Sequence, residues 1–219
     1  MTFDIAFAIS QFPYLLQAAG TTIVIAISSI ILGSLGGTFL AIARETKPQW
    51  CGRPIALYVS FIRGTPLFIQ ILLVYLSIPK FGADIPKIIV GIIALSLNAA
   101  AYVAEIVRGG LSALQPGQID AARAAGMPVS LIWMHIKLPQ TFALILPPLT
   151  IQFISILKGS SLLSVIGVVE LTRLSQTIIS GSFRPVEIWI ATGSIYFILC
   201  FTLGAFASHL ERYASRFRR

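Results

Sequence analysis

What most constrains this chain is the length of its apolar runs. Five stretches are almost free of charge: one within Gly20 to Ala43, one within Ile55 to Ile78 interrupted by Arg63, one within Ile88 to Val107, one from Pro139 to Leu157 and one from Ile188 to Ser208. A helix rises about 1.5 Å per residue, so about 20 apolar residues match the ~30 Å hydrocarbon core of a bilayer. Lipid offers backbone groups no hydrogen bonds, which leaves helices as the spanning form. Of the 219 residues, 56% are hydrophobic and 11% charged, against the roughly 25% charged residues of a soluble domain. The mean hydropathy of +0.88 agrees. The expected fold is an all-α integral membrane protein, one transmembrane domain over 1–219, with spans near 20–43, 55–78, 88–107, 139–157 and 188–208.

The net charge of +8 is scattered between the apolar blocks. It forms no continuous basic face, which argues against a nucleic-acid partner. Its use is orientation, because Lys and Arg mark cytoplasmic segments. With the N-terminus outside, the inner segments hold ten cations: Arg44, Lys47, Arg53, Arg108, Arg123, Lys137, Arg212, Arg216, Arg218 and Arg219. The outer ones hold five: Lys80, Lys87, Lys158, Arg173 and Arg184. The expectation is therefore an external N-terminus and a cytoplasmic C-terminus, the basic tail lying against anionic lipid of the inner leaflet. The N-terminus lacks a basic n-region, so the first run reads as a retained signal-anchor helix. Cys51 and Cys200 lie far apart and imply no disulfide or metal framework.

The spans differ in texture. Gly33, Ser34, Gly36 and Gly37 give the first a small-xxx-small spacing, which lets a neighbouring backbone approach closely, although glycine is common in membrane helices anyway. Pro147 and Pro148 remove two backbone donors near the middle of the fourth. They predict a kink, either static or part of a pathway-lining helix.

Between the third and fourth spans, Arg108 to Leu138 is too polar to cross. Pro116-Gly117 breaks the chain, an alanine-rich stretch follows with Asp120 expected in its first turn, and Gly126 and Pro128 give a stop signal. Pro128 can open a second short helix and Pro139 the fourth span. The reading is two short helices over 117–137 making a compact, small-surfaced cytoplasmic knob between two spans. Such a knob fits a partner cleft and transmits displacement; an ordinary loop packed on its own helix ends is the plainer alternative.

The spacing Asp120-Ala121-Ala122, then Gly126, then Ile136, Leu138 and Pro139 resembles the EAA motif of ATP-binding-cassette (ABC) importer permeases. Arg63-Gly64-Thr65-Pro66-Leu67, the run Tyr102 to Gly110 and Ser164-Val165-Ile166-Gly167-Val168 are similar to the polar amino-acid subfamily, the histidine, glutamine, arginine and opine permeases. The resemblance implies a five-helix type I importer core that pairs with a second permease, identical or homologous. It also implies a cytoplasmic ABC ATPase dimer that binds ATP and Mg, and an external or periplasmic solute-binding protein. The chain itself would carry no cofactor, and 117–137 would be the coupling helices. Two departures stand out: Asp120 replaces the usual Glu, and Lys158-Gly159-Ser160-Ser161-Leu162 stands where relatives often read Lys-Asp-Thr-Ser-Leu.

Ionisable residues within spans are costly and mark candidate sites. Arg63 has three readings: snorkelling to the headgroups, pairing with Glu105, or holding a turn before Thr65-Pro66. Asn98, Tyr102 and Glu105 share one face of the third span, as a polar path or as helix-to-helix hydrogen bonding. Lys158, Ser160 and Ser161 at the end of the fourth meet a substrate carboxylate or mark the membrane boundary. His135 and His209 fit no metal spacing, and neither a nucleophile motif nor a phosphate-binding loop occurs. The chain is not an enzyme on this reading. The alternatives are an ion-coupled secondary transporter and a channel subunit, but the sequence shows neither an internal repeat nor a filter.

Overall fold

The computed structural model describes residues 4–46, 49–82 and 84–214. Lys47, the side chain of Cys51 and the tail cations Arg216, Arg218 and Arg219 lie outside them. The described chain is all helical: α1 (Ile5–Thr46), α2 (Gln49–Gly64), α3 (Leu67–Ser77), α4 (Lys87–Ser112), α5 (Pro116–Ala124), α6 (Val129–Ile132), α7 (Leu138–Gly159), α8 (Leu171–Ser182) and α9 (Pro185–Ala214). Four helical paths are long and apolar enough to cross a membrane: Ile5–Arg44, Lys87–Ser112, Val129–Ile166 and Pro185–Tyr213. A fifth path consists of Gly52–Gly64 and Leu67–Lys80, bent by 115°.

That bend follows from local chemistry. Pro66 has no N–H to continue the ladder and holds the residue before it away from helical geometry, so α2 stops at Gly64. The carbonyls it strands within the membrane are met by a side chain. Gln70 Nε2 donates to Ile62 O at 2.7 Å and to Thr65 O at 3.0 Å.

The hub is α4, with 56% of its apolar window buried against 17% for α9. It runs parallel to α1, and the small residues explain how close the two lie. A Cβ added at Gly33 would stand 2.4 Å from Ala99 Cβ, and one at Gly37 would stand 2.6 Å from Ala100 O. Small-on-small contact supplies dispersion where lipid supplies no hydrophobic drive. Against the N-terminal half of α4, Ile25, Ile71, Leu95, Ile156 and Leu163 form the main core; Val59 and Ile62 of α2 pack its C-terminal half at Ala101 and Ala104.

Two helical paths run furthest past the windows expected from sequence. The first begins at Ile5, because Leu15 and Ala19 pack on Leu171, Ala191 and Ile195 above the core. The fourth continues past Leu157 through a 3-10 turn, Ser160–Ile166. The hydroxyls of Ser160 and Ser161 donate to the carbonyls of Leu157 and Lys158 at 2.7 Å, which hides their polarity.

Candidate functional site

The knob between α4 and α7 is built by turn chemistry. Pro116 takes the first position of α5, and Gly126 ends it in the left-handed region at φ +75°. The N–H of Met127 donates to Ala122 O and that of Gly126 to Arg123 O, both at 3.0 Å. This is the Schellman pattern, which requires a residue without Cβ strain at Gly126. Because α5 starts at Pro116, Asp120 falls in its second turn and not in its first. Asp120 instead faces Arg123 at 3.6 Å, an exposed pair worth little in stability.

Pro128 caps α6, but α6 is not a free second helix. A π turn over Trp133–Lys137 joins it to α7, the N–H of Leu138 donating to Trp133 O. The extra residue in that turn accommodates Pro139, whose ring would crowd the preceding carbonyls. Gln140 Nε2 donates to Gln118 Oε1 at 2.7 Å, tying α5 to the start of α7.

The knob exposes apolar side chains beside the charged Asp120 and Arg123. Gly110 and Thr141 pack together at the end of the spans. Beyond that level Val129 is 65% exposed and Met134 61%, with Met127, Leu131 and Leu138 exposed beside them. Ala121, Ala124 and Ala125 are exposed and small, Ile136 and Pro139 are half-buried, and Ala122 is buried. Nothing in the chain lies within 4 Å of where a Gly126 side chain would begin. Exposed apolar side chains of this kind, where water and not lipid meets them, mark a protein contact.

The polar residues within the spans do not form one cluster. Asn98 is buried and donates to Gln70 Oε1 at 2.9 Å, extending the network that seals the α2–α3 break. Tyr102 lies under the Arg63 guanidinium, 5.7 Å from its ring centroid. Glu105 is held by Arg108 and by Arg44 at 3.3 Å, so Arg63 is not its ion-pair partner. Lys158 is exposed, and Gly159 beside it points at Leu67 and Leu95. Along α4, Leu95 lies about 5 Å from Asn98 and about 15 Å from Glu105, so Lys158 is near the Asn98 level and far from Glu105. Ser160 is buried and Ser161 half-buried.

Sequence reasoning missed Gln70, Gln118 and Gln140, single amides whose partners are set by tertiary contact. It also missed Glu211 of α9, which accepts from Thr150 Oγ1 at 2.9 Å just past the two prolines of α7. Among the described residues no group of three metal-ligating side chains occurs.

Comparison with known proteins is consistent along the whole chain. Residues 33–216 match the family described as "Binding-protein-dependent transport system inner membrane component". The probable amino-acid ABC transporter permease protein YckA of Bacillus subtilis (strain 168) is 33% identical over 210 residues, 96% of this chain and 93% of that protein. The glutamine transport system permease protein GlnP of Escherichia coli (strain K12) is 34% identical over 97% of this chain and 98% of its own. Among solved structures, an amino acid ABC transporter crystallised with histidines superposes with a TM-score of 0.90 at 36% identity, covering 97% of this chain and 100% of that one.

Proposed function

Because the chain belongs to the binding-protein-dependent transport system inner membrane components, we propose that it carries a polar amino acid or amino-acid derivative into the cytoplasm. It is a multi-pass permease subunit of an ABC importer with a type I transmembrane domain, and it is not itself catalytic. Its family works with an ATPase and a binding protein. In our reading the ATPases form a cytoplasmic dimer holding ATP and Mg, and a second permease, identical or homologous, completes the path.

The observation that carries this reading is the knob: an exposed apolar surface around Gly126, clamped to α7 by the Gln118–Gln140 bond. Asp120, Ala121, Ala122, Gly126, Ile136, Leu138 and Pro139 form the coupling element that meets the ATPase. Ion-driven exchange and channel conduction have no use for such a rigid cytoplasmic lever. The N-terminus lies outside and the C-terminus inside, in accord with the bias of Lys and Arg. Reporter fusions after Lys80 or Arg173 are then external and one after Arg123 cytoplasmic; the opposite pattern overturns the orientation.

The cargo passes Asn98 and Tyr102 on α4 and Lys158, Ser160 and Ser161 at the end of α7. Glu105, about 10 Å along the helix axis from Asn98 and about 15 Å from the level of Lys158, acts as a separate station held between two arginines. Gly159 offers no carboxylate beside Lys158, which favours a neutral over a cationic side chain. Reconstitution with ATPase and binding protein tests this by ATP-dependent uptake of cationic, neutral and anionic amino acids. A strong preference for arginine or lysine refutes the side-chain preference, and unchanged transport by Asn98→Ala and Tyr102→Ala refutes the path.

A further inference from the structure

The chain has three methionines. Met1 lies outside the described residues, and the other two, Met127 and Met134, both stand on the knob. The long helices α1, α4, α7 and α9 contain none, although an unbranched, polarizable thioether fills irregular gaps in a helix bundle well. Packing among the spans therefore does not account for the pair.

The turn chemistry of the knob holds both in the open. Met127 follows Gly126, whose φ of +75° ends α5, and its own N–H is bound to Ala122 O at 3.0 Å. Met134 lies in the π turn Trp133–Lys137 that joins α6 to α7. They are 36% and 61% exposed, and neither belongs to an apolar cluster of the described residues. Between them in sequence, Val129 and Leu131 are exposed as well, so the two thioethers belong to the surface assigned above to the ATPase. The other described sulfur, Cys200, is half-buried on α9.

We propose that Met127 and Met134 form an oxidation-sensitive site that governs assembly, their sulfoxides preventing the knob from seating in the ATPase. The proposal rests on the assignment of the knob to that partner. The oxidant is a peroxide. The thioether sulfur attacks one oxygen of hydrogen peroxide, the O–O bond breaks, sulfur is oxidised by two electrons to the sulfoxide, and the other oxygen leaves as water with both protons. A thiol-dependent sulfoxide reductase reverses the step: the oxygen leaves as water while two thiols are oxidised to a disulfide. Each sulfoxide brings a strong acceptor into an apolar contact that offers it no donor, which opposes docking. In the complex the ATPase covers the pair, so the permease free of its ATPase is the form that reacts.

The test uses the full chain in phosphatidylcholine nanodiscs, with Cys51→Ser and Cys200→Ser so that thiols do not respond. The discs are treated with hydrogen peroxide, quenched with catalase and titrated with untreated ATPase, while mass spectrometry follows oxidation at each methionine. Oxidation of both should weaken ATPase binding at least about tenfold. Reductases for the two sulfoxide epimers, supplied with dithiothreitol, should restore it. Met127→Leu with Met134→Leu, compared before and after peroxide, should show no change in its own affinity. Peroxide given to the assembled complex should oxidise the pair more slowly than in the free chain. Full ATPase binding with sulfoxide at both positions overturns the proposal, as does resistance of both side chains to peroxide. An equal peroxide-dependent loss in the leucine variant also overturns it, and so does equally fast oxidation in the complex. If the untreated chain binds no ATPase, the coupling reading itself fails.

Discussion

Replacing Gly126 separates turn strain from partner contact. Its φ of +75° penalises any side chain, and the space beyond its Cα is empty within the chain. Alanine in the left-handed region costs about 1–2 kcal/mol, whereas Asn and Asp visit it more readily. Strain alone therefore ranks the variants Gly, then Asn and Asp, then Ala. If the empty space is where the ATPase packs, Asp brings bulk and an unpaired charge into a close interface, which costs several kcal/mol. That order is Gly, then Ala, then Asp. The assay is ATP-dependent uptake in vesicles, normalised to inserted chain, with co-purification of the ATPase as second readout. Gly126→Ala should keep a substantial part of transport, and Gly126→Asp should insert normally but lose uptake and ATPase retention at least about a hundredfold, as a 3 kcal/mol loss requires. Transport by Gly126→Asp equal to or above that of Gly126→Ala would refute the coupling assignment.

Three further outcomes follow from the packing. Gln70→Leu strands the carbonyls of Ile62 and Thr65 as well as the Asn98 amide, so it should destabilise by about 2–4 kcal/mol. Asn98→Leu should cost about 1 kcal/mol, and the double variant no more than Gln70→Leu alone; additive costs in detergent unfolding would refute the shared network. On α1, Gly33→Ala and Gly37→Ala should each lose about 1–3 kcal/mol from overpacking on α4, while Gly36→Ala, with its nearest atom at 3.5 Å, should unfold like wild type. At the start of α8, burial pushes the Glu170 carboxyl above the usual carboxylate range, against the pull of two backbone N–H groups and Tyr196. A raised folded-state pKa means a stability contribution that is complete below the unfolded value of about 4.3 and lost as pH rises through the folded one. The melting temperature of wild type relative to Glu170→Gln should therefore fall from acid toward neutral pH, and a flat difference would contradict it.

Much of this architecture was legible because lipid leaves few solutions for the backbone. Apolar runs of helix-spanning length are local signals with one physical outcome, whereas the 115° break at Gly64-Thr65-Pro66 falls inside a stretch read as one span, where a turn was only one of three readings of Arg63. The knob was legible from Gly126 and its flanking prolines, although Pro139 produced a π turn that merges α6 into α7. The nonlocal pairings were not legible. A glutamine at 70 looks like any polar residue in a span until the α2 carbonyls and Asn98 surround it. Nothing local to Glu105 shows Arg44 arriving from α1 to pair with it. The burial of Glu170 and Glu187 was not legible either, since it is decided by contacts among α1, α8 and α9.

The central claim is that movement of this chain is driven by a nucleotide-burning partner through the knob. Proteoliposomes holding the chain, its ATPase and the external binding protein, loaded with ATP and given a labelled panel of amino acids, test it most directly. Uptake should need internal ATP and the binding protein together, persist when ion gradients are collapsed, and disappear in Gly126→Asp. Accumulation without ATP, driven by a sodium or proton gradient alone, would contradict the account.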